Sequence, residues 1–357
     1  IIWTLSMEIN KKYCNNSYLI YRSIVDREKS FSKDIEPNFY DMPYRVPVKN
    51  VDDTVKEIEK TIDSLFSEKT KKVALMLSGG IDSAILAAMV PKGTKAYTFQ
   101  PDVEGANDEV RYAKIYAEIN ELEHSVISYD WTDFDNSMDK LMLQKGAPVH
   151  SIEPQIFKAA DVARKEGYTT LLFGEAADAV FGGLDGLLSK DFNLAEFYER
   201  FMFVDPSKVL KEPMEIKEPI IPFMNGNNIV DVHGFLNTVF FSESNNSYYN
   251  ACKLADIEFI SPFNRMILDV PLDLERVRSG ESKYILREIF KQKYPNLQIR
   301  KKLPMPRPVD QWFEKWEGPV RTEFRKDIPL NDMKGDQKWM IYCLERFLNL
   351  IEDTNEK

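Results

Sequence analysis

Six residues carry the first chemical signal: Ser78, Gly79, Gly80, Ile81, Asp82 and Ser83, read as "SGGIDS" directly after the apolar run "VALML". A short apolar run of this kind reads as a buried strand, and the turn that follows sits at its carboxyl end. In a parallel α/β sheet that end faces ligands, and the next helix begins with N–H groups that can receive an anion. Gly79 and Gly80 permit a tight turn and let the backbone approach phosphate oxygens, while Ser78 and Ser83 add hydroxyl donors. Asp82 would repel a bare phosphate, and a Mg²⁺ ion between carboxylate and phosphates removes that repulsion. A Walker-type lysine is missing from the loop, so this is a different phosphate grip.

The elements that must position this loop follow an alternating pattern. Strands are expected over 73–77, 95–99, 124–128 and 169–173, with helices from Asp82, from about Asn107 and over 153–165. Strands that alternate with helices predict a doubly wound α/β fold with a parallel sheet, since parallel strands need crossover connections. An amphipathic helix over 51–71 leads in, with Val55, Ile58, Ile62, Leu65 and Phe66 at helical spacing behind a cap at Asp52 or Asp53. Residues 1–50 read as an N-terminal extension with one or two short strands, "SYLIYRSIV" supplying strand-like content before Pro37, Pro43 and Pro47; residues 1–6 are set aside. Residues 51–357 then form one synthetase-sized domain, a sheet core over about 72–190 and a helical part over about 191–357. The helical part ends in "WMIYCLERFLNLI", whose main apolar positions are Trp339, Ile341, Leu344, Phe347 and Leu348.

Composition narrows the function class. A net charge of −10 over 357 residues gives no basic footprint for nucleic acid. Cys14, Cys252 and Cys343 are odd in number and widely spaced, which reads as buried free thiols in a reducing compartment. No apolar run approaches the length of a membrane span, so neither a membrane nor a nucleic acid is expected as partner and the expected location is cytoplasmic.

Two further segments, taken with the loop, resemble a known family. "SGGIDS" looks like the pyrophosphatase loop of the ATP pyrophosphatases, the PP-loop superfamily. "LLFGEAADAVFGGL" at 171–184 resembles the "GEGADELFGGY" segment of asparagine synthetases, and "SKYILREIF" at 282–290 is similar to their "KYILREAF". "SPFNRMILDVPLDL" at 261–274 stands where the family has a "PFLD…P" pattern, so the resemblance spans about residues 51–305. It implies that Ser78, Gly79, Gly80, Asp82 and Ser83 hold the phosphates of ATP, with Asp82 and Asp178 on Mg²⁺. It also implies Glu175 beside the reacting centre, orienting or deprotonating the nucleophile, and Lys283 stabilising the developing charge. Gly174 and Met76 would bracket the adenine. The basic run Arg300, Lys301 and Lys302 is a second place where pyrophosphate could be met, or a solvated face.

The departures from the pattern bear on the substrate. Ala179 replaces the family's Glu after the metal-binding Asp, Ala176 replaces the second Gly of "GEG", and Asn264 and Arg265 replace the Leu and Asp of "PFLD". These changes leave phosphate and metal chemistry in place but weaken the case for aspartate. Only about 50 residues precede the synthetase-like part, and Cys14 lies within them, so no glutaminase is expected within the chain. The expected reaction is amide formation by an ATP-dependent carbon–nitrogen ligase. A substrate carboxylate is adenylated with release of pyrophosphate, and ammonia or an amine then displaces AMP. The nitrogen is supplied free, by the substrate, or by a separate glutaminase. The acceptor is left open among an amino acid, a sugar uronic acid and a peptide closing on itself, with the stretch 240–253 either lining its pocket or forming polar surface. Three rival readings are a PP-loop sulfur transferase acting on tRNA, a non-catalytic ATP-binding relative, and a metal hydrolase. The last is disfavoured because His124, His150 and His233 lack ligand spacing.

Overall fold

The structure is a computed structural model and describes residues 7–104, 109–300 and 305–355. Three short strands come first: β1 (Glu8–Ile9), β2 (Lys29–Ser30) and β3 (Val46–Val48). The sheet proper is built from β4 (Val73–Met76), β5 (Lys95–Pro101), β6 (Glu123–Tyr129), β7 (Thr170–Leu172) and β8 (Glu258–Ile260), and β9 (Met266–Leu268) pairs with β3 outside it. All five strands run parallel in the order β6-β5-β4-β7-β8. The chain winds one way from β4 to β6 and the other way from β7 to β8. The switch therefore falls between β4 and β7, where the two crossovers diverge and leave a crevice at the strand ends.

The central strand β4 is apolar on both faces because helices cover both. On one face Ala74, Met76, Tyr97, Phe99 and Leu171 pack with Phe134, Ile156, Ala160, Trp339 and Leu344. On the other, Leu75, Leu77, Ala96 and Leu172 pack with Ile58, Ile62, Ile85, Tyr116, Leu286 and Phe290. The alternation Ala74, Leu75, Met76, Leu77 thus feeds two separate cores, as side-chain period 2 requires. A smaller apolar cluster that includes Tyr21, Phe197, Ile220 and Phe235 holds the outlying helices.

The expected α/β architecture is present, and several element readings need correction. The entry helix spans Val51–Ser67 and is capped by Asn50, which accepts from the Asp53 N–H; Asp52 and Asp53 instead sit in the first turn. Negative charge is favourable there because the unpaired N–H groups carry partial positive charge. The stretch expected to supply strand content near residue 18 lies mostly in a helix, Lys11–Tyr21, whose Tyr18, Leu19, Ile20 and Tyr21 are fully buried. A continuous apolar run cannot tell a buried strand from a buried helix, and here packing against the C-terminal helix decides. Strand β8 comes from the part expected to be helical; "EFI" is too short to show a period. The helix Trp131–Lys145 was also unforeseen, although its capping box of Asp130 and Asp133 is visible as D-x-x-D. The helix expected from about Asn107 spans Glu109–Ile119, and its expected start at Asn107 lies outside the described residues.

Candidate functional site

Loop 78–83 leaves β4, and Gly174 and Glu175 leave β7, so both emerge into the same crevice. The loop is closed on itself by its two serines. The Ser83 hydroxyl accepts from the Ser78 N–H at 2.9 Å and lies 3.0 Å from the Ser78 hydroxyl, which in turn accepts from the Gly80 N–H at 3.1 Å. Gly80 caps the helix Ile81–Ala87 with no side chain of its own, leaving that helix start open to the cleft. Gly174 is small by necessity. A Cβ there would stand 3.0 Å from the Asp82 Cβ and 3.2 Å from the Ser83 nitrogen, so the β7 exit and the loop can touch only through glycine.

Lys283 joins the two expected metal carboxylates. Its ammonium lies 2.9 and 2.7 Å from the two Asp82 oxygens and 2.9 Å from Asp178 Oδ1, with only 8 % of its side chain exposed. Burial alone would lower the lysine pKa; the charges of Asp178 and Asp82 outweigh it, so the net shift is upward and the group stays charged. Lys283 reaches them from a left-handed backbone position, φ +54°, at the start of the helix Tyr284–Lys293. Asp178 sits in the short helix Ala177–Val180, which Ala176 opens at φ +70°. Gly183 backs Asp178 so closely that any Cβ there would collide with its carboxylate.

Glu175 is held by the helix Phe241–Leu254. Ser244 donates to its Oε1 at 2.6 Å, and Tyr248 lies within hydrogen-bonding reach. Burial raises the Glu175 pKa, the Ser244 and Ala176 donors pull it back, and Asp178 raises it further. On the loop side, Glu109 is buried against the Gly79 backbone with its pKa raised by burial, while Arg300 stacks over the Tyr112 ring nearby.

Met76, Ser78, Gly79, Gly80, Asp82, Ser83, Gly174, Glu175, Asp178 and Lys283 all line one cleft of about 390 Å³. Sequence reasoning missed Glu109, Ile152, Phe173, Arg287 and Arg307, which line it too. Arg307 is braced by Asp336 and Ser151. Phe173 and Arg287 lie inside the segments 171–184 and 282–290, whereas Glu109, Ile152 and Arg307 lie in none of the quoted motifs and reach the cleft only through the tertiary fold. Arg300 belongs to the cleft, while Lys301 and Lys302 lie outside the described residues. Within 240–253, Phe240 and Tyr248 line the cleft and Ser244 supports it.

Ala176, Ala179, Asn264 and Arg265 are not among the residues that line the cleft. The Ala179 side chain is buried in the apolar core. Asn264 is buried and donates to Asn245 at 3.1 Å, and Arg265 is exposed. His124 pairs with Thr98, His233 pairs with the Val180 carbonyl, and His150 is buried with its pKa pushed down by burial. The three cysteines are buried, and burial pushes the Cys14 thiol up to about 12. Among the described residues no helix is long and apolar enough to cross a membrane.

Comparison with known proteins bears on the same region. Residues 59–217 match the family model described as asparagine synthase. No curated protein matches the chain. Among solved structures, an NMN synthetase from Francisella tularensis is similar at 12 % identity, covering 72 % of this chain and all of that one, with a TM-score of 0.29. A U34-tRNA thiolase, NcsA, from Methanococcus maripaludis with its [4Fe-4S] cluster is similar at 15 % identity, covering 71 % of this chain and 82 % of that one, with a TM-score of 0.26. Superpositions this loose carry no argument about function. The stretch 59–217 that matches the asparagine synthase family model holds both the loop at 78–83 and the segment at 171–184.

Proposed function

We propose that the protein is an ATP-dependent amide-forming ligase that adenylates a substrate carboxylate and passes the acyl group to ammonia or an amine. The observation that carries this reading is the convergence of the serine-closed loop, two carboxylates, Lys283 and Glu175 on one cleft. The loop N–H groups and serine hydroxyls bind ATP phosphates, with Met76 and Gly174 beside the base.

Asp82 and Asp178 fit a divalent cation, since their oxygens already converge on a single ammonium within 2.9 Å. Among the described residues no group of three or more metal-ligating side chains occurs, so Mg²⁺ would complete its shell with phosphate oxygens and water. Its chemistry there is charge neutralisation of the phosphates. The acceptor carboxylate attacks the α phosphorus of ATP and the bond to the β phosphate breaks, giving acyl-adenylate and pyrophosphate. Lys283 stabilises the charge that develops on the departing pyrophosphate. Glu175 orients the nitrogen nucleophile and takes its proton as the C–N bond forms and AMP leaves. Phe173, Phe240 and Tyr248 exclude water that would otherwise hydrolyse the adenylate.

The test is incubation with ATP, Mg²⁺, ammonium and a panel of carboxylates, scoring AMP with pyrophosphate against ADP with phosphate. Carboxylate-dependent AMP that disappears in Asp82→Ala is the expected result. ADP as the product, or AMP that persists in Asp82→Ala, would overturn the reading.

A further inference from the structure

A second cavity, of about 700 Å³, opens against the face of the helix Phe241–Leu254 opposite the cleft. Glu243 and Asn246 point into it, whereas Ser244 and Tyr248, roughly half a helical turn away, serve Glu175. The turn before this helix is a π-helix, Leu236–Phe240, an uncommon element that recurs at functional sites. It hands Thr238 and Val239 to the second cavity and Phe240 to the cleft.

The floor of this cavity offers two unused polar atoms. Asn246 is 8 % exposed, and its carbonyl oxygen accepts from the Tyr40 N–H at 2.7 Å and from Asn250 at 3.2 Å; its amide N–H₂ has no partner among the described residues. Glu243 is 6 % exposed, and its Oε2 accepts from Arg22 at 3.3 Å while Oε1 has no partner among the described residues. Both atoms are reached from the cavity, so an open acceptor stands beside an open donor where a ligand can meet them. The walls are apolar, with Ile24, Val25, Phe39, Pro222, Phe223 and Val239 among them. The charged lining residues balance, Asp26, Glu218 and Glu243 against Arg27, Lys29 and Lys145. An anion and a neutral donor three residues apart on one helix face match a zwitterion, ammonium on Glu243 and carboxylate on Asn246. Volume and walls then call for a bulky apolar remainder.

We propose that this cavity binds an α-amino acid with a large apolar side chain, as a ligand separate from whatever occupies the phosphate-loop cleft. The helix it grips also holds Glu175 through Ser244, so occupancy bears on the cleft. The test is titration calorimetry on the full chain without nucleotide, using L-phenylalanine, 2-phenylethylamine, 3-phenylpropanoate and L-aspartate. Phenylalanine is expected to bind at least about tenfold more tightly than each of the others, the amine and the acid each losing one charged hydrogen bond and aspartate losing the apolar contact with the walls. Val239→Trp, which fills the cavity from a partly exposed wall, should abolish binding, and Glu243→Gln should weaken it about tenfold or more. Equal binding of the four probes, no binding of phenylalanine, unchanged binding in Val239→Trp, or displacement by an ATP analogue would each overturn the proposal. Because no nucleotide turnover is read, its failure is distinct from failure of the ligase reading.

Discussion

Lys283 grips Asp82 through both carboxylate oxygens, at 2.9 and 2.7 Å, from a point 201 residues away in the chain. The same ammonium reaches Asp178 at 2.9 Å, so one positive charge stands between the two groups proposed to receive a metal.

Removing that charge has opposite effects on stability and on metal binding. Lys283→Met leaves two carboxylates facing each other in a buried site, and breaking a buried ion pair typically costs about 3–5 kcal/mol. The same variant should bind Mn²⁺ or Mg²⁺ without nucleotide at least tenfold more tightly than the parent, read by calorimetry or Mn²⁺ spin resonance. Unfolding curves give the sign of the pH effect. Because the folded lysine pKa is raised, its contribution is complete below the ordinary lysine pKa and persists through the alkaline range where a free lysine would lose its proton. Lys283→Met should therefore stay less stable than the parent by the same margin from pH 6 to about pH 10.

Glu175 is buried with a raised pKa, so its proton-accepting form is lost on acidification from a higher starting point than for an ordinary glutamate. Ser244 donates to the charged form, and deleting that donor raises the pKa further. In Ser244→Ala the acidic limb of the kcat/KM profile should move to higher pH with the alkaline plateau retained. For stability the sign is the reverse of an ion-paired carboxylate: a raised pKa destabilises the fold above the unfolded value, so the variant loses most at neutral pH and least below about pH 4.

Gly174→Ala should separate loop placement from chemistry. Its new Cβ would sit 3.0 Å from the Asp82 Cβ and 3.2 Å from the Ser83 nitrogen, backbone and near-backbone atoms that cannot swing aside. Overpacking of this kind costs about 1–3 kcal/mol. ATP binding should weaken by about tenfold or more as the loop is displaced, while the Lys283 pairing keeps metal-free folding intact. Equilibrium dialysis with ATP and a denaturant melt check the two halves.

Ala176→Gly should raise stability. Ala176 is held at φ +70°, a region that costs a residue with a Cβ about 1–2 kcal/mol. Losing its buried methyl returns about 0.8 kcal/mol of that, leaving a net gain of up to about 1 kcal/mol in a urea melt. Ala176→Val should lower stability, since a β-branched residue tolerates that conformation worst.

The local content of the site was legible because its parts are local. A strand followed by two glycines, two hydroxyls and a carboxylate within one short run reads as a turn at the strand's carboxyl end, and loop 78–83, which leaves the central strand β4, has that form. The alternation of periods likewise announced a parallel α/β sheet. Strand β8 and the helix Lys11–Tyr21 were not readable, since three residues show no period and an apolar run suits either element equally. Tertiary structure alone decided that Lys283 pairs with Asp82 and Asp178, that Ser244 holds Glu175, and that Arg307 and Glu109 share their cleft. Those contacts join separate crossovers, and they exist only once the strand order reverses between β4 and β7 and brings both loops to one edge.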